Sequence, residues 1–243
     1  MNGTATWRVE AHDVIASTSD LCVARARAGE ADRLAVIAAQ QTGGRGRAGR
    51  QWVSPAGNLY ASVLLRPATP AVQGGLWALL AGLALIEALD AFAAPEPGKL
   101  TLKWPNDVLR DDAKLAGILL DAAVGDATID WLVMGFGANL AHVPDVPGRR
   151  TAALAAPEAA PSPEAVLERL LARIDRWQDT LAADGGAELR ASWLARAHPI
   201  GSRIAVDGGR IRGEFAGIDA DGSLLLRDAG GVRAIRTGEV AVL

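Results

Sequence analysis

The segment QTGGRGRAGRQW, residues 41–52, combines four glycines, three arginines and a tryptophan, and it contains no acidic residue. Guanidinium groups bind phosphate and carboxylate through forked donors, and glycines let successive backbone N–H groups converge on an anion. Trp52 offers an aromatic face for a base. Residues 33–86 hold five arginines and no acid, which predicts a loop that binds an anionic ligand. The alternative is a solvated surface loop, although such loops usually mix both signs of charge.

A second cluster is KWPNDVLRDDAKLAG, residues 103–117. All three lysines of the chain lie within residues 99–114, and the cationic side chains elsewhere are arginines. A lysine in this cluster would supply a compact point charge rather than a planar fork. Asn106 and Asp107 follow a proline at a strand break. A carboxylate beside a phosphate site either coordinates a metal ion or holds a lysine, and Mg²⁺ takes one or two carboxylates. Asp107 is therefore a better functional candidate than Asp111 and Asp112, which are predicted to be surface charges. The alternative for the whole cluster is a plain hairpin turn.

The third motif is GFGANL, residues 135–140. Its two glycines near a strand end let a ligand approach the backbone, and Asn139 can contact an adenine edge or a phosphate. A strand-end turn is the alternative. Gly44-x-Gly46-x-x-Gly49 also matches the dinucleotide fingerprint, but the residues that follow start no helix and supply no acid for a ribose. We therefore exclude a dinucleotide-dependent oxidoreductase.

The periodicity of apolar residues predicts an α/β (α+β) fold, in which helices flank a mixed β-sheet over residues 1–198. From residue 199 the pattern changes to about five short strands separated by GG and DG turns, which predicts a small C-terminal β-barrel over 199–243. Predicted strands span 7–15, 33–40, 58–66, 99–104, 106–110, 114–124 and 129–141. Predicted helices span 17–29, with Ser17 or Ser19 as N-cap, and 73–93, 163–181 and 187–197. Residues 143–163 hold five of the twelve prolines and are predicted to form a surface loop.

Composition excludes several classes of protein. The net charge of −3 gives no basic field for nucleic acid or a membrane surface. A single cysteine excludes an internal disulfide, and the three histidines show no metal-ligand spacing. The first ten residues lack the apolar core of a signal peptide, and the apolar run 76–86 is too short to span a bilayer. We expect a cytoplasmic protein with no nucleic-acid or membrane partner.

Together, the glycine–arginine segment, KWPND with KLAG, and GFGANL resemble the catalytic module of the biotin–protein ligases. The resemblance covers about residues 7–197, and the C-terminal segment is similar to the SH3-like domain of that family. It implies an enzyme of the short form, without a DNA-binding domain. Ser19 stands where the family usually has asparagine, so it either contacts biotin or only caps a helix. Ala48 stands where a bulkier or basic residue is common.

The resemblance also implies a set of site residues. Biotin contacts are implied at Ser17, Thr18, Ser19, Gln41, Arg45, Gly46, Arg47, Lys114 and Gly117. ATP contacts are implied at Arg45, Arg47, Arg50, Trp52, Lys103, Asn106 and Asn139. Lys114, Arg47 and Asp107 are the implied catalytic residues, and Asp107 is also the implied Mg²⁺ ligand.

The implied reaction activates biotin with ATP to biotinyl-5'-AMP and then transfers biotin to a lysine of a biotin carboxyl carrier protein domain, forming a C–N bond. ATP and biotin are the substrates, and a homodimer is left open. Two alternatives remain. The first is a related acyl-adenylating enzyme of the lipoate–protein ligase kind. The second is a non-catalytic module that binds an anion or a protein.

Overall fold

The computed structural model describes residues 6–93 and 99–243, which form two β-sheets and four α-helices. The strands of the first sheet are β1 (Arg8–Ile15), β2 (Leu34–Gln41), β3 (Leu59–Leu65), β4 (Leu100–Lys103), β5 (Asp107–Arg110), β6 (Ala113–Val124) and β7 (Ile129–Ala138). The helices are α1 (Thr18–Arg27), α2 (Gly74–Asp90), α3 (Pro163–Asp184) and α4 (Ala187–Arg196). The second sheet contains β8 (Arg203–Val206), β9 (Ile211–Ile218), β10 (Leu224–Asp228), β11 (Gly231–Ile235) and β12 (Val240–Val242).

The first sheet is mixed, with the strand order β1-β2-β3-β7-β6-β5-β4. Strands β1 and β2 run parallel, and each other neighbouring pair described in this sheet runs antiparallel. The hairpin between β5 and β6 turns at Asp111 and Asp112, which both have positive φ. Aspartate tolerates this conformation better than most residues. The expectation of a mixed sheet flanked by helices is confirmed.

Strand β3 is buried along its whole length because helices cover both faces of the sheet. Along β2, Leu34 and Val36 pack with Cys22 of α1 on one face, whereas Ala35 and Ile37 belong to the larger core on the other face, formed with α2, α3 and α4. This alternation follows from the two-residue period of a strand. The face on which α1 lies is the face that carries the cleft described below.

Helix α2 is the main apolar element of the larger core. The segment Ala71–Asp90 is long and apolar enough to span a membrane, but 67% of its apolar window is buried inside the protein. Twelve residues of α2 are buried, from Leu76 to Leu89. A helix that is apolar on all sides is expected where neighbouring elements surround it. The inference from the length of the run 76–86 was wrong, because the helix is longer than that run, and it is burial that identifies the segment as a core helix.

The second sheet is antiparallel, with the order β11-β10-β9-β8-β12, and it is the small C-terminal unit that the turn pattern predicted. It contacts the first part of the chain directly. The indole Nε1–H of Trp104 donates to the Gly222 carbonyl oxygen at 3.1 Å in a buried position. A Cβ at Gly75 would overlap the carbonyl oxygen of Asp221. The turn before β12 contributes Glu239 to the cleft described below.

Candidate active site

Every site residue predicted above lines one cleft of about 270 Å³. The cleft lies over the α1 face of the sheet, between the glycine–arginine segment and the ends of β5, β6 and β7. The residues that it shares with the prediction are Ser17, Thr18, Ser19, Gln41, Arg45, Gly46, Arg47, Arg50, Trp52, Lys103, Asn106, Asp107, Lys114, Gly117 and Asn139. The structure thus brings together residues that are up to 122 positions apart, counted from Ser17 to Asn139.

Glycines form the floor of the cleft. Gly117 and Gly137 face each other across β6 and β7, and the indole of Trp52 lies against both. A Cβ at Gly137 would lie only 2.6 Å from Cε2 of Trp52, and one at Gly135 would overlap the hydroxyl of Ser19. Side chains at these positions would fill the cleft. The two glycines of GFGANL therefore let Trp52 and Ser19 lie close to the backbone of β7.

Hydroxyl and amide groups gather at the N-terminus of α1. Ser17 is the N-cap and accepts a hydrogen bond from the backbone N–H of Asp20 at 3.3 Å. The backbone N–H and the hydroxyl of Thr18 both donate to Oε1 of Gln41, at 2.9 and 3.2 Å. Together these groups offer donors and acceptors to a neutral polar ligand group.

Ser62 is a buried residue of β3 that the sequence analysis missed. Its hydroxyl shares hydrogen bonds with those of Thr18, at 2.8 Å, and Ser19, at 3.0 Å. A single serine inside the apolar run LYASVLL was the available signal, because a buried hydroxyl requires a partner. Ser19 therefore does not cap α1, and that alternative was wrong. Its contact with biotin stays a prediction.

The glycine–arginine segment forms a compact turn. The backbone N–H of Gly46 donates to the Arg50 carbonyl at 2.7 Å, and that of Trp52 donates to the Gly44 carbonyl at 2.9 Å. Ala48 adopts φ 55°, which is a left-handed conformation. An unbranched residue suits this position better than a β-branched one.

The first two arginines of the segment have different partners. Arg45 lies 2.9 Å from Asp20 and 3.0 Å from Asp121, so two carboxylates hold its guanidinium at the rim of the cleft. Arg47 donates to Oδ1 of Asn106 at 3.2 Å and to the carbonyl oxygen of Gly238 at 3.1 Å. Arg47 thus links the KWPND motif to the C-terminal unit across the cleft.

Asp107 bridges two lysines. Its Oδ2 lies 3.0 Å from Nζ of Lys103, and its Oδ1 lies 2.6 Å from Nζ of Lys114. Burial alone would raise the pKa of Asp107, but the ammonium groups of Lys114 and Lys103 outweigh it and hold the pKa below its ordinary value. The carboxylate therefore stays ionised and fixes Lys114 in the cleft.

The donor set around Asp107 does not fit a directly ligated Mg²⁺. Both carboxylate oxygens already accept from ammonium groups, and a metal would have to displace one of them. Among the residues that the structure describes, no cluster of three histidine, cysteine or acidic side chains could hold a metal ion. Of the two roles that the sequence left open for Asp107, the geometry favours the fixing of a lysine.

Asn139 is buried at the end of β7 and has one unsatisfied group. Its Nδ2 donates to the Ala152 carbonyl at 3.1 Å, whereas its Oδ1 has no hydrogen-bond partner in the described part of the chain. A buried acceptor without a partner is costly unless a ligand supplies a donor. An exocyclic amine such as that of adenine is a donor of the required kind.

Residues 143–163 form a surface loop, as predicted, and this proline-rich loop also contributes to the cleft. The backbone N–H of Ala152 donates to the Lys114 carbonyl at 3.0 Å, and Leu154 donates to the Asn139 carbonyl at 2.9 Å. The lining residues that the sequence analysis missed include Pro144, Val146, Arg149 and Thr151 from this loop, and Glu239 and Val240 from the C-terminal unit. No short motif marks them.

Residues 12–139 match the biotin/lipoate A/B protein ligase family, and residues 200–243 match the biotin protein ligase C-terminal domain. The chain belongs to the biotin/lipoate A/B protein ligase family. The biotin–[acetyl-CoA-carboxylase] ligase of Paracoccus denitrificans is 39% identical over 84% of this chain and 88% of the relative. That of Mycobacterium tuberculosis is 36% identical over 95% of this chain and 88% of the relative.

A solved structure of this family shares the whole architecture. The biotin protein ligase of Aquifex aeolicus in complex with biotin and ATP superposes with a TM-score of 0.78 at 27% identity, covering 97% of this chain and 98% of that one. The resemblance, the fold class and the assignment to a ligase family are confirmed. A non-catalytic binding module is not supported, because the relatives named above are ligases.

Proposed function

We propose that this chain is a biotin–protein ligase that forms biotinyl-5'-AMP from biotin and ATP and then transfers biotin to a lysine of a carrier protein. The main supporting observation is that Lys114 and Arg47 face a cleft with hydroxyl and amide groups at one end and an unsatisfied buried acceptor at Asn139. The similarity to biotin ligases over most of the chain supports the same activity.

The charge of the cleft suits the first step. The lining contains six basic side chains, Arg45, Arg47, Arg50, Lys103, Lys114 and Arg149, and two carboxylates, Asp107 and Glu239. The attack of a carboxylate on an α-phosphate brings two anions together, which costs about 4 kcal/mol at 4 Å and an effective dielectric of about 20. Fixed cations offset this repulsion and stabilise the charge that develops.

Lys114 is the residue that we place at the reacting atoms. Its ammonium is fixed by Asp107, lies 5.5 Å from the ring centre of Trp52, and can neutralise both the biotin carboxylate and the α-phosphate. Arg47 then retains the adenylate, and the surrounding segment excludes water from the acyl phosphate. In the second step the carrier lysine attacks the mixed anhydride, an amide forms and AMP leaves.

The polar end of the cleft favours biotin over lipoate. The ureido group of biotin has two N–H donors and a carbonyl acceptor, and the groups at Ser17, Thr18 and Gln41 can pair with them. The dithiolane ring of lipoate has no N–H or carbonyl group, so it would gain no hydrogen bonds from these residues. This contrast is the specific reason to rank lipoate second.

The direct test is incubation of the full chain with ATP, Mg²⁺, biotin and a biotin carboxyl carrier domain, with mass spectrometry of the carrier. A mass gain of one biotinyl group with release of AMP and pyrophosphate is expected. A gain only when lipoate replaces biotin would support the lipoate alternative. No modification with either acid, although biotin and ATP bind, would contradict the ligase assignment.

The remaining expectations concern the surroundings of the enzyme. A carrier-domain partner, a cytoplasmic location, the absence of nucleic-acid and membrane partners, and a homodimer stay predictions. Magnesium enters this proposal as part of the nucleotide complex, with ligands from the phosphates rather than from Asp107.

A further inference from the structure

Three residues from distant segments meet at the rim of the cleft. Arg50 donates through Nη1 and Nη2 to the two carboxylate oxygens of Glu239, at 3.0 and 2.9 Å. Arg149, from the proline-rich loop, donates through Nη2 to Oε1 of the same carboxylate at 3.0 Å. Two guanidinium groups therefore share one carboxylate, and the cluster keeps a net positive charge.

This cluster repeats the arrangement at Asp107 but differs in burial. The side chain of Asp107 is 12% exposed, whereas that of Glu239 is 53% exposed and those of Arg50 and Arg149 are 40% and 36% exposed. Exposed ion pairs contribute roughly 0–1 kcal/mol. A multiply charged anion can therefore replace Glu239 at little cost, whereas the less exposed carboxylate of Asp107 stays in place.

The cluster lies next to the residues that we place at the α-phosphate. Arg47 contacts Asn106, the neighbour of Asp107, and the carbonyl oxygen of Gly238, the neighbour of Glu239. A nucleotide with its α-phosphate at Lys114 has two further phosphates to place within the same cleft. The cluster offers them two guanidinium groups with forked donors that match phosphate.

We propose that Arg149, together with Arg50, binds the terminal phosphates of ATP and the departing pyrophosphate, and that Glu239 occupies both guanidinium groups until the nucleotide arrives. This inference rests on the proposed function, since it takes ATP as a substrate. Binding exchanges one carboxylate for a more highly charged group, so removal of the arginine and removal of the carboxylate have opposite effects.

The test is calorimetric titration of the full chain with ATP, inorganic pyrophosphate and AMP. Arg149→Ala is expected to weaken binding of ATP and pyrophosphate about tenfold, with AMP changed less than about twofold. Arg149→Lys keeps the charge but loses the fork, so an intermediate loss is expected. Glu239→Gln is expected to tighten pyrophosphate binding. Thermal unfolding of each variant verifies the fold.

The matched control is Arg150→Ala, which removes the same charge from the adjacent exposed residue outside the cleft lining. Unchanged pyrophosphate binding in Arg149→Ala, or an equal loss for AMP and ATP, would overturn the assignment. Weaker pyrophosphate binding in Glu239→Gln would contradict the proposal that phosphate replaces Glu239 at the two arginines.

Failure of the proposed function gives a different result. In that case the wild-type chain forms no biotinyl-AMP, while Arg149→Ala still weakens the binding of ATP more than the binding of AMP. If biotinyl-AMP forms normally and Arg149→Ala changes no titration, only this inference fails.

Discussion

Nζ of Lys114 lies 2.6 Å from Oδ1 of Asp107, and the second oxygen of that carboxylate contacts Lys103 at 3.0 Å. The pair crosses the hairpin of β5 and β6, since Asp107 begins one strand and Lys114 is the second residue of the other. The carboxylate fixes the ammonium without removing all positive charge, because two lysines share one acid.

Lys114→Ala is expected to lower the rate of biotinyl-AMP formation by about 10²–10³, because a fixed cation at the developing charge is lost. Lys114→Arg should not restore the rate, since a planar fork does not replace a point charge. Pyrophosphate release measures the step. Lys99→Ala removes a lysine outside the cleft and serves as the control. Near-normal turnover in Lys114→Ala would refute the assignment.

Asp107→Asn is expected to lower the free energy of unfolding by about 1–3 kcal/mol at pH 7, less than for a fully buried ion pair, because the side chains of Asp107 and Lys114 are 12% and 21% exposed. The folded-state pKa of Asp107 is depressed, so its contribution is complete well above the ordinary value of about 3.9 and is lost as the pH falls through the lower folded-state pKa. Denaturation of both proteins from pH 7 to pH 3 should show the difference shrinking below about pH 4.

Asp111→Asn is the control for that series, because Asp111 lies exposed in the turn of the same hairpin. It should change the free energy of unfolding by less than about 0.5 kcal/mol. A difference between wild type and Asp107→Asn that does not vary with pH would contradict the depressed pKa.

Arg47→Gly is expected to speed release of biotinyl-AMP by about tenfold, because two hydrogen bonds across the cleft and one cation are lost. A chase of labelled adenylate with unlabelled biotin and ATP measures release. Ala48→Gly adds a glycine to the same turn but removes no charge, and φ 55° suits glycine. If release from Arg47→Gly matches that from Ala48→Gly, the retention role is wrong.

Gly137→Ala is expected to weaken ATP binding about tenfold and to destabilise the protein by about 1–3 kcal/mol, because the new methyl group displaces Trp52. Titration with ATP and chemical denaturation measure the two effects. Gly74→Ala meets nothing within 4 Å and is the control. An unchanged affinity for ATP in Gly137→Ala would show that the position of Trp52 does not matter for the nucleotide.

The sequence by itself determined the elements and the motif residues of this protein. Strand alternation in β2, the apolar length of α2 and the capping serine before α1 are encoded by neighbouring residues, so local pattern predicts them. The charge chemistry of Arg47 and Lys114 is likewise a property of residue type. These features needed no knowledge of distant contacts.

Only the tertiary structure decided which groups meet. The sequence left Asp107 as either a metal ligand or a partner for lysine, and the distance to two ammonium groups favours the second. Arg149 and Glu239 carry no local signal, and the lone serine in the apolar run of β3 does not reveal its partner. The partners of Ser62, Arg149 and Glu239 lie 43, 90 and 189 residues away. Packing of the sheets and loops sets such contacts, and no short stretch of sequence encodes them.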